Sequence, residues 1–300
     1  MQLDRAQLAT LSAILRLGSF EAAAAELGLT QSAVSQRLRA LEERIGTPLV
    51  RRGPPARPTD TGARLARHAD EVALLEAETL RHLGHAPSPG QIRIAVNADS
   101  LATWVPAALA RAQEDMPGTT FQVEMDDQDH SARWLREGWV SAAITASTAP
   151  LPGCDAFPLG LLRYHAVASP AFRARHFPQG VTAEALARAP MLVFNEKDAL
   201  QSGWLARQPG GAGLHPPAHR LPSTEGFTLA ALAGLGWGMN PEALVAPHLA
   251  SGALVDLVPG ATLDTPLCWQ VSRLLAPALA PLTRALRQGA GAALRPDPQA

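Results

Sequence analysis

Cysteine is scarce, lysine is scarcer still, and no apolar run is long enough to cross a bilayer. The two cysteines, Cys154 and Cys268, are too few for a disulfide framework, so a reducing, cytoplasmic location is expected. A nucleophilic thiol needs a base beside it, and Cys268 reads more simply as a small buried side chain. The start of the chain lacks the charged-then-apolar pattern of a signal peptide, so no membrane partner is expected. Nine histidines are scattered, without the His-Glu-x-x-His or Cys-x-x-Cys spacings that hold metals. Gly234-x-Gly236-x-Gly238 lacks the continuation of a dinucleotide loop and reads as a tight entrance to a strand. Catalytic residues, metals and cofactors are therefore all expected to be absent, and an enzyme is the main class disfavoured. All the positive charge is arginine except Lys197, and the chain as a whole is close to neutral at net charge −1. Three hundred residues with 47% hydrophobic content suggest about two domains with ample core.

What is present is concentrated near the start. Leu8, Leu11, Ile14 and Leu15 recur at helical spacing, and Gly18 stops that helix. Ser19 is placed to cap a short alanine-rich helix with Phe20 entering the core, and Gly28 marks a tight turn. Thr30 opens a third helix, whose Val34, Leu38, Leu41 and Ile45 form one apolar stripe. Its other face carries Gln31, Ser32, Ser35, Gln36, Arg37 and Arg39. Glutamine and arginine make bidentate contacts to base edges, and serine suits phosphates or either base. Small and amide side chains at the front of a second helix are what a major groove admits.

Gly46-Thr47-Pro48 ends that helix, and residues 49 to 58 read as a short strand and a stiff turn, a wing. Arg51, Arg52 and Arg57 are placed there for phosphate or minor-groove contact, with Thr59 beside them. Residues 1 to 58 hold eight arginines against five acids, whereas the remainder holds 18 basic and 22 acidic residues. The asymmetry favours a DNA-binding module over a packing module with a solvated face.

Residues 59 to 83 read as one long helix with a seam of Leu65, Ala69, Val72, Leu75, Thr79, Leu80 and Leu83. Such a seam is either a core helix or a dimer helix that needs a partner to bury it. Residues 84 to 90, rich in proline and glycine, read as a hinge. From residue 91 strands and helices alternate: strands at 92–96, 119–125, 140–144, 164–168, 191–194, 253–258 and 267–271, helices at 101–115, 131–137 and 277–293. The alternation predicts an open α/β sheet of mostly parallel strands.

Ligands of such sheets sit beyond the strands' carboxyl ends. Those positions hold Asp99, Ser100, Thr103 and Trp104; Thr145 and Ser147; Asn195, Glu196 and Asp198; Thr224 and Glu225; and Asn240. Taken singly, Asp99, Ser100, Asp198 and Thr224 are also good helix caps. Together the acids and hydroxyls would suit a zwitterion with a cationic side chain. Residues 205 to 217, rich in glycine and proline, are expected to lack order of their own.

Residues 8 to 62 resemble the winged helix-turn-helix of LysR-type transcriptional regulators. The resemblance is carried by the alanine-rich second helix, Thr30-Gln31-Ser32-Ala33-Val34-Ser35-Gln36, Leu41-Glu42, Gly46, Leu49, Arg52 and Pro58-Thr59-x-x-Gly62. The wing departs from the family's Leu-Phe-x-Arg with Leu49-Val50-Arg51-Arg52. Residues 95–104, 177–182 and 194–201 are similar to the ArgP/LysG branch, so the likeness spans almost the whole chain. It implies an α/β protein with an N-terminal winged helix-turn-helix (residues 1–58), a linker and dimerisation helix (59–83), a hinge (84–90) and a bilobal, periplasmic-binding-protein-like effector domain (91–300). Lobe one would be 91–161 plus 265–300 and lobe two 162–264, joined by crossovers near 161 and 265. It further implies a homodimer or homotetramer on promoter double-stranded DNA, RNA polymerase as partner, and L-lysine or L-arginine as effector of an exporter gene. A LysR-type regulator of another operon with a different effector, and a solute-binding protein, stand as alternatives.

Overall fold

The computed structural model describes residues 2–51, 53–84, 90–125, 134–135, 139–147 and 149–298. Its first three helices are α1 (Arg5–Leu17), α2 (Phe20–Leu27) and α3 (Gln31–Ile45). Each start is closed by a side chain accepting a backbone N–H: Asp4 from Gln7, Ser19 from Ala22 and Thr30 from Ala33. Between α2 and α3 the chain turns at Gly28, whose φ of +64° suits glycine, and Leu29 N–H donates to Ala24 O across the turn. Leu8, Leu11, Ile14, Val34, Leu38 and Leu41 fill the centre, with Ala23 and Ala24 letting α2 approach closely.

β1 (Val50–Arg51) and β2 (Arg57–Pro58) pair antiparallel and form the wing. The Glu42 carboxylate accepts from Leu49 N–H at 2.7 Å and Val50 N–H at 3.3 Å, tying the wing to α3. Gly62, in the first turn of α4 (Asp60–His82), passes so close to the wing that a Cβ there would lie 1.9 Å from Leu49 O.

Much of α4 is covered within the chain. Leu65 and Ala69 join the core of the first module, and Leu74 and Leu75 pack on the core of the second. Arg67 lies over the Trp139 ring at 3.9 Å. Thr79 and Leu83 remain exposed. Asp70 bridges the two modules, accepting from the Ser12 hydroxyl of α1 at 2.6 Å and pairing with Arg93 at 3.5 Å. No helix among the described residues is long and apolar enough to cross a membrane.

The second module is built on one mixed sheet. Its strands are β3 (Gln91–Val96), β4 (Thr120–Met125), β5 (Ala142–Thr145), β6 (Cys154–Ala168), β9 (Gly238–Pro241), β10 (Val255–Asp256) and β11 (Leu263–Ser272). The order is β10-β6-β11-β5-β3-β4, with β9 also on β6. A separate parallel pair, β7 (Met191–Val193) and β8 (Ala218–Arg220), lies beside it. In the large sheet only the β3–β4 and β3–β5 pairings are parallel, while every pairing of β6 and β11 is antiparallel. The expected mostly parallel sheet is thus corrected. β6 carries the chain away from the first half of the sheet and β11 carries it back beside it, so the two must run in opposite senses. Thr265 pairs with Leu162 and Pro266 with Leu161, which places the expected crossover positions side by side.

The helices are α5 (Ala98–Thr103), α6 (Val105–Asp115), α7 (Pro170–His176), α8 (Ala183–Arg188), α9 (Leu200–Ala206), α10 (Thr224–Leu232), α11 (Glu242–Ser251) and α12 (Ala280–Ala293). The helix expected over 101–115 is two, broken at Trp104 ahead of Pro106, which has no N–H to continue the first. The stretch 205–217 is ordered by its own bonds, Gly211 N–H to Gln208 O and Leu214 N–H to Gly211 O, and leads into β8. Residues 85–89 of the hinge expected over 84–90 and most of the helix expected over 131–137 lie outside the described residues. Trp204, Trp237 and Trp269 are fully buried. The indole N–H groups of Trp204 and Trp269 donate to Ala261 O and the Thr283 hydroxyl.

Candidate functional site

The first candidate surface is the front of α3 with the wing. Gln31, Ser32, Gln36 and Arg39 are exposed there, and Ser35 and Arg37 are half-buried. Arg51 and Arg57 face each other across the wing, both exposed. Among the described residues, none of Arg37, Arg39, Arg51 and Arg57 enters an ion pair. Arg16 pairs with Glu26, and Arg5 pairs with Glu76 at 2.6 Å. The positive charge on α3 and the wing is therefore not neutralised by a described acidic residue, which is the electrostatic character an anionic backbone requires. Arg52 lies outside the described residues. Thr59 serves the fold: its hydroxyl donates to Pro48 O at 2.9 Å and accepts from Gly62 N–H at 3.1 Å, capping α4.

The second candidate site is a cleft of about 430 Å³ at the carboxyl end of β3. Of the residues expected to bind a small molecule, Asp99, Asn195, Asp198, Thr224 and Asn240 line it, together with Asn97. Asp99 accepts from the Tyr164 phenol at 2.6 Å and from the Thr224 hydroxyl at 2.9 Å, so one carboxylate joins α5, β6 and α10. Ser223, not Thr224, caps α10, which frees the Thr224 hydroxyl for that bond. Asp198 accepts from Phe194 N–H at 2.9 Å and Leu200 N–H at 3.0 Å and so shapes its own turn. Asn240 is fully buried, accepting from Thr228 and donating to Gly238 O. Asn97 Oδ1 is buried with no hydrogen-bond partner among the described residues. An orphan acceptor of this kind costs about 1–3 kcal/mol unless something donates to it.

Electrostatics single out Asp99. Burial pushes its carboxyl above the usual range, and the like charge of Asp198 adds to this. The hydrogen bonds from Tyr164 and Thr224 oppose it. Burial, then the Asp99 charge, pushes the Tyr164 phenol well above its usual value.

The remaining expected residues stand elsewhere. Thr145 and Ser147 are held by Gln270, whose amide donates to the Thr145 hydroxyl at 3.0 Å and to Ser147 O at 3.2 Å, outside the cleft. Thr103 turns its hydroxyl back to Asp99 O at 2.6 Å, and Trp104 is core. Ser100 is fully buried beneath the cleft wall, and Glu196 and Glu225 are exposed beyond the lining. Ser100, Ser147, Glu196 and Glu225 stand in loops or first helix turns, where residue type alone does not separate a ligand contact from a structural one. The three-dimensional turn of α5 buries Ser100 and sends Thr103 and Trp104 to its far side.

The sequence reading missed Tyr164, Lys197 and the apolar walls, which include Phe194, Phe227, Met239 and Leu263. A signal existed for Lys197, the single lysine, already sitting in one of the expected loops. Tyr164 is likewise the only tyrosine in the chain, but it lies within a strand, where an aromatic reads as core.

Comparison with known proteins covers both modules. Residues 6–63 match the bacterial regulatory helix-turn-helix protein of the lysR family, and residues 85–291 match the LysR substrate binding domain. The chain is 47% identical to the HTH-type transcriptional regulator LysG of Mycobacterium tuberculosis over 296 residues, 98% of this chain and 96% of that protein. The crystal structure of ArgP from Mycobacterium tuberculosis is similar at a TM-score of 0.75 and 46% identity, covering 99% of this chain and all of the other. A full-length LysG from Corynebacterium glutamicum with bound effector Arg is similar at a TM-score of 0.66 and 37% identity, covering 98% of this chain and all of the other.

Proposed function

This chain belongs to the LysR family of bacterial helix-turn-helix transcriptional regulators, and from that premise we propose that its cleft senses a basic amino acid, L-arginine or L-lysine. Occupancy of the cleft would then control transcription of an exporter gene. The observation that carries the reading is the acceptor set of the cleft. Asp99, Asp198 and Asn97 line it between apolar walls, the Asn97 side-chain carbonyl having no partner among the described residues, and Lys197 lies on the exposed edge. A cationic group suits the acids, the aliphatic stem suits Phe194, Phe227 and Leu263, and Lys197 supplies charge for a carboxylate. The arginine described as the effector of the Corynebacterium relative has this chemistry.

The DNA-contacting set is Gln31, Ser32, Ser35, Gln36, Arg37 and Arg39 on α3, with Arg51, Arg52 and Arg57 on the wing. Two such helices in a homodimer, or four in a homotetramer, would read half-sites about one or more helical turns apart. We assign residues 1–58 to DNA binding, 59–83 to a linker and dimerisation helix, 84–90 to a hinge and 91–300 to effector binding. We infer a cytoplasmic location and assign no catalytic residue; the matching relatives are transcriptional regulators.

Calorimetric titration of the purified protein with L-arginine, L-lysine and L-leucine tests the reading. Selective binding of the two basic amino acids is expected. Leucine binding as well as arginine would overturn it.

A further inference from the structure

The inference concerns how the cleft tells a cation from a neutral ligand, and it rests on the reading of the cleft as a basic-amino-acid site. Asp99 is engaged by two neutral hydroxyls, and no described residue forms an ion pair with it. Its charged and titratable surroundings are few. The turn before α9 brings Asp198 to the cleft and Lys197 to its lip. β6 brings Tyr164, while the next residue, His165, is engaged on the other face with Asp256 and Glu242. α10 brings Thr224, with Glu225 turned to solvent. The charged residues of α6, Arg111, Glu114 and Asp115, stand towards its far end.

Two carboxyls thus face one cleft among apolar walls, each already held by neutral donors. A carboxyl in that position is relieved in one of two ways, by a proton or by a cation from outside. We propose that Asp99 is the specificity-determining residue of the cleft and that it selects by exchange: its carboxyl holds a proton in the free protein, and the effector's cationic group displaces that proton to solvent.

The hydroxyls fit both states. A protonated Asp99 donates to the Thr224 oxygen, and an ionised one accepts from Thr224 and Tyr164 together. Burial beside Asp198 favours the protonated form of the empty site. A neutral amino acid of similar shape brings no charge to replace the proton and meets a neutral carboxyl with its polar partners already satisfied. Because the complex favours the ionised form, affinity is full above the ionisation of the free site. It falls as pH drops through that ionisation.

The test is calorimetry on the full-length protein with L-arginine between pH 5 and 8, in phosphate and in Tris or imidazole. The two buffer types absorb a released proton with different heats. The expected result is a buffer-dependent heat that reports proton release growing as pH is lowered, with affinity falling by up to about tenfold per pH unit below the ionisation. Asp99→Asn is expected to lose both effects and to bind at least about tenfold more weakly at neutral pH. The unaltered protein's affinity should converge on that of the variant at low pH. Thr224→Val removes a donor to the ionised carboxylate, so the pH at which affinity falls should move upward. A purely structural role would lower affinity equally at every pH.

Arginine binding with identical heat in both buffers at every pH would overturn the exchange while leaving the basic-amino-acid reading intact. Failure of both arginine and lysine to bind would overturn both. Should Asp99→Asn not fold, the buffer comparison on the unaltered protein still decides.

Discussion

Gln36 stands exposed in the second turn of α3, with its amide directed away from the buried stripe of Val34, Leu38 and Leu41. Gln36→Ala should lower the preference for operator over scrambled DNA by about 1–3 kcal/mol, with little loss of non-specific affinity, as read by competition binding at fixed salt. An unchanged ratio would remove Gln36 from base recognition. Gln270 serves a different end: it satisfies Thr145, Ser147, Ala149 and Leu151 at once. Gln270→Leu leaves Leu151 N–H and Ala149 O without that partner, while the Thr145 hydroxyl still donates to Ser147 O, and should cost about 2–4 kcal/mol in chemical denaturation. The front of α3 was legible because exposure along a helix follows from spacing alone. Thr145 and Ser147 were not, because what holds them is a strand residue more than 120 positions away. A hydroxyl in a loop carries no mark of whether it faces a ligand or a neighbour.

The wing is short, and its stiffness comes from its attachments: Glu42 below, Thr59 behind and Gly62 pressed against Leu49. Arg51→Ala and Arg57→Ala should each reduce the slope of log affinity against log salt by about one, with the ranking of DNA sequences unchanged. A shift in ranking would make the wing a base reader. Among the strands, β6 is the instructive failure of sequence reading. Only residues 164–168 of its fifteen were expected; Pro158 and Gly160, within the rest, are residues that strand interiors disfavour. In the structure the register with β11 shifts there, Leu267 opposing Gly160 and Cys268 opposing Pro158, so Leu159 is the extra residue of a bulge. The proline sits where the ladder is already interrupted. Helix ends were more legible than strands, since Ser19 and Thr30 cap where side-chain chemistry places them.

Across the whole molecule, the reader and the cleft meet at Asp70, between Ser12 of α1 and Arg93 of β3. Burial raises its carboxyl above the usual range, against the Ser12 bond and the charges of Arg93 and Arg16. The folded chain therefore binds this proton more tightly than the unfolded one. The charge costs stability above the folded ionisation, and that cost disappears as pH falls towards the unfolded value. Asp70→Asn should remove this part of the pH dependence, so the difference between variant and unaltered protein in thermal unfolding should change between pH 7 and pH 4. A constant difference would mean that Asp70 titrates alike folded and unfolded. The two-module layout was legible from charge and periodicity, whereas the contact of α4 with the second module was not, because its stripe reads equally as a surface awaiting a partner. The pairing of β6 with β11 has one more consequence. Leu162 and Thr265 lie opposite each other, so the hundred-odd residues between them, β9 and β10 included, are entered and left by the chain at one spot. That half of the cleft is, in topological terms, a graft on a single stem: trimmed at the stem and closed with a short link, the remaining chain would retain its sheet order from β11 to β4 and its reader, but would have only one wall with which to recognise anything small.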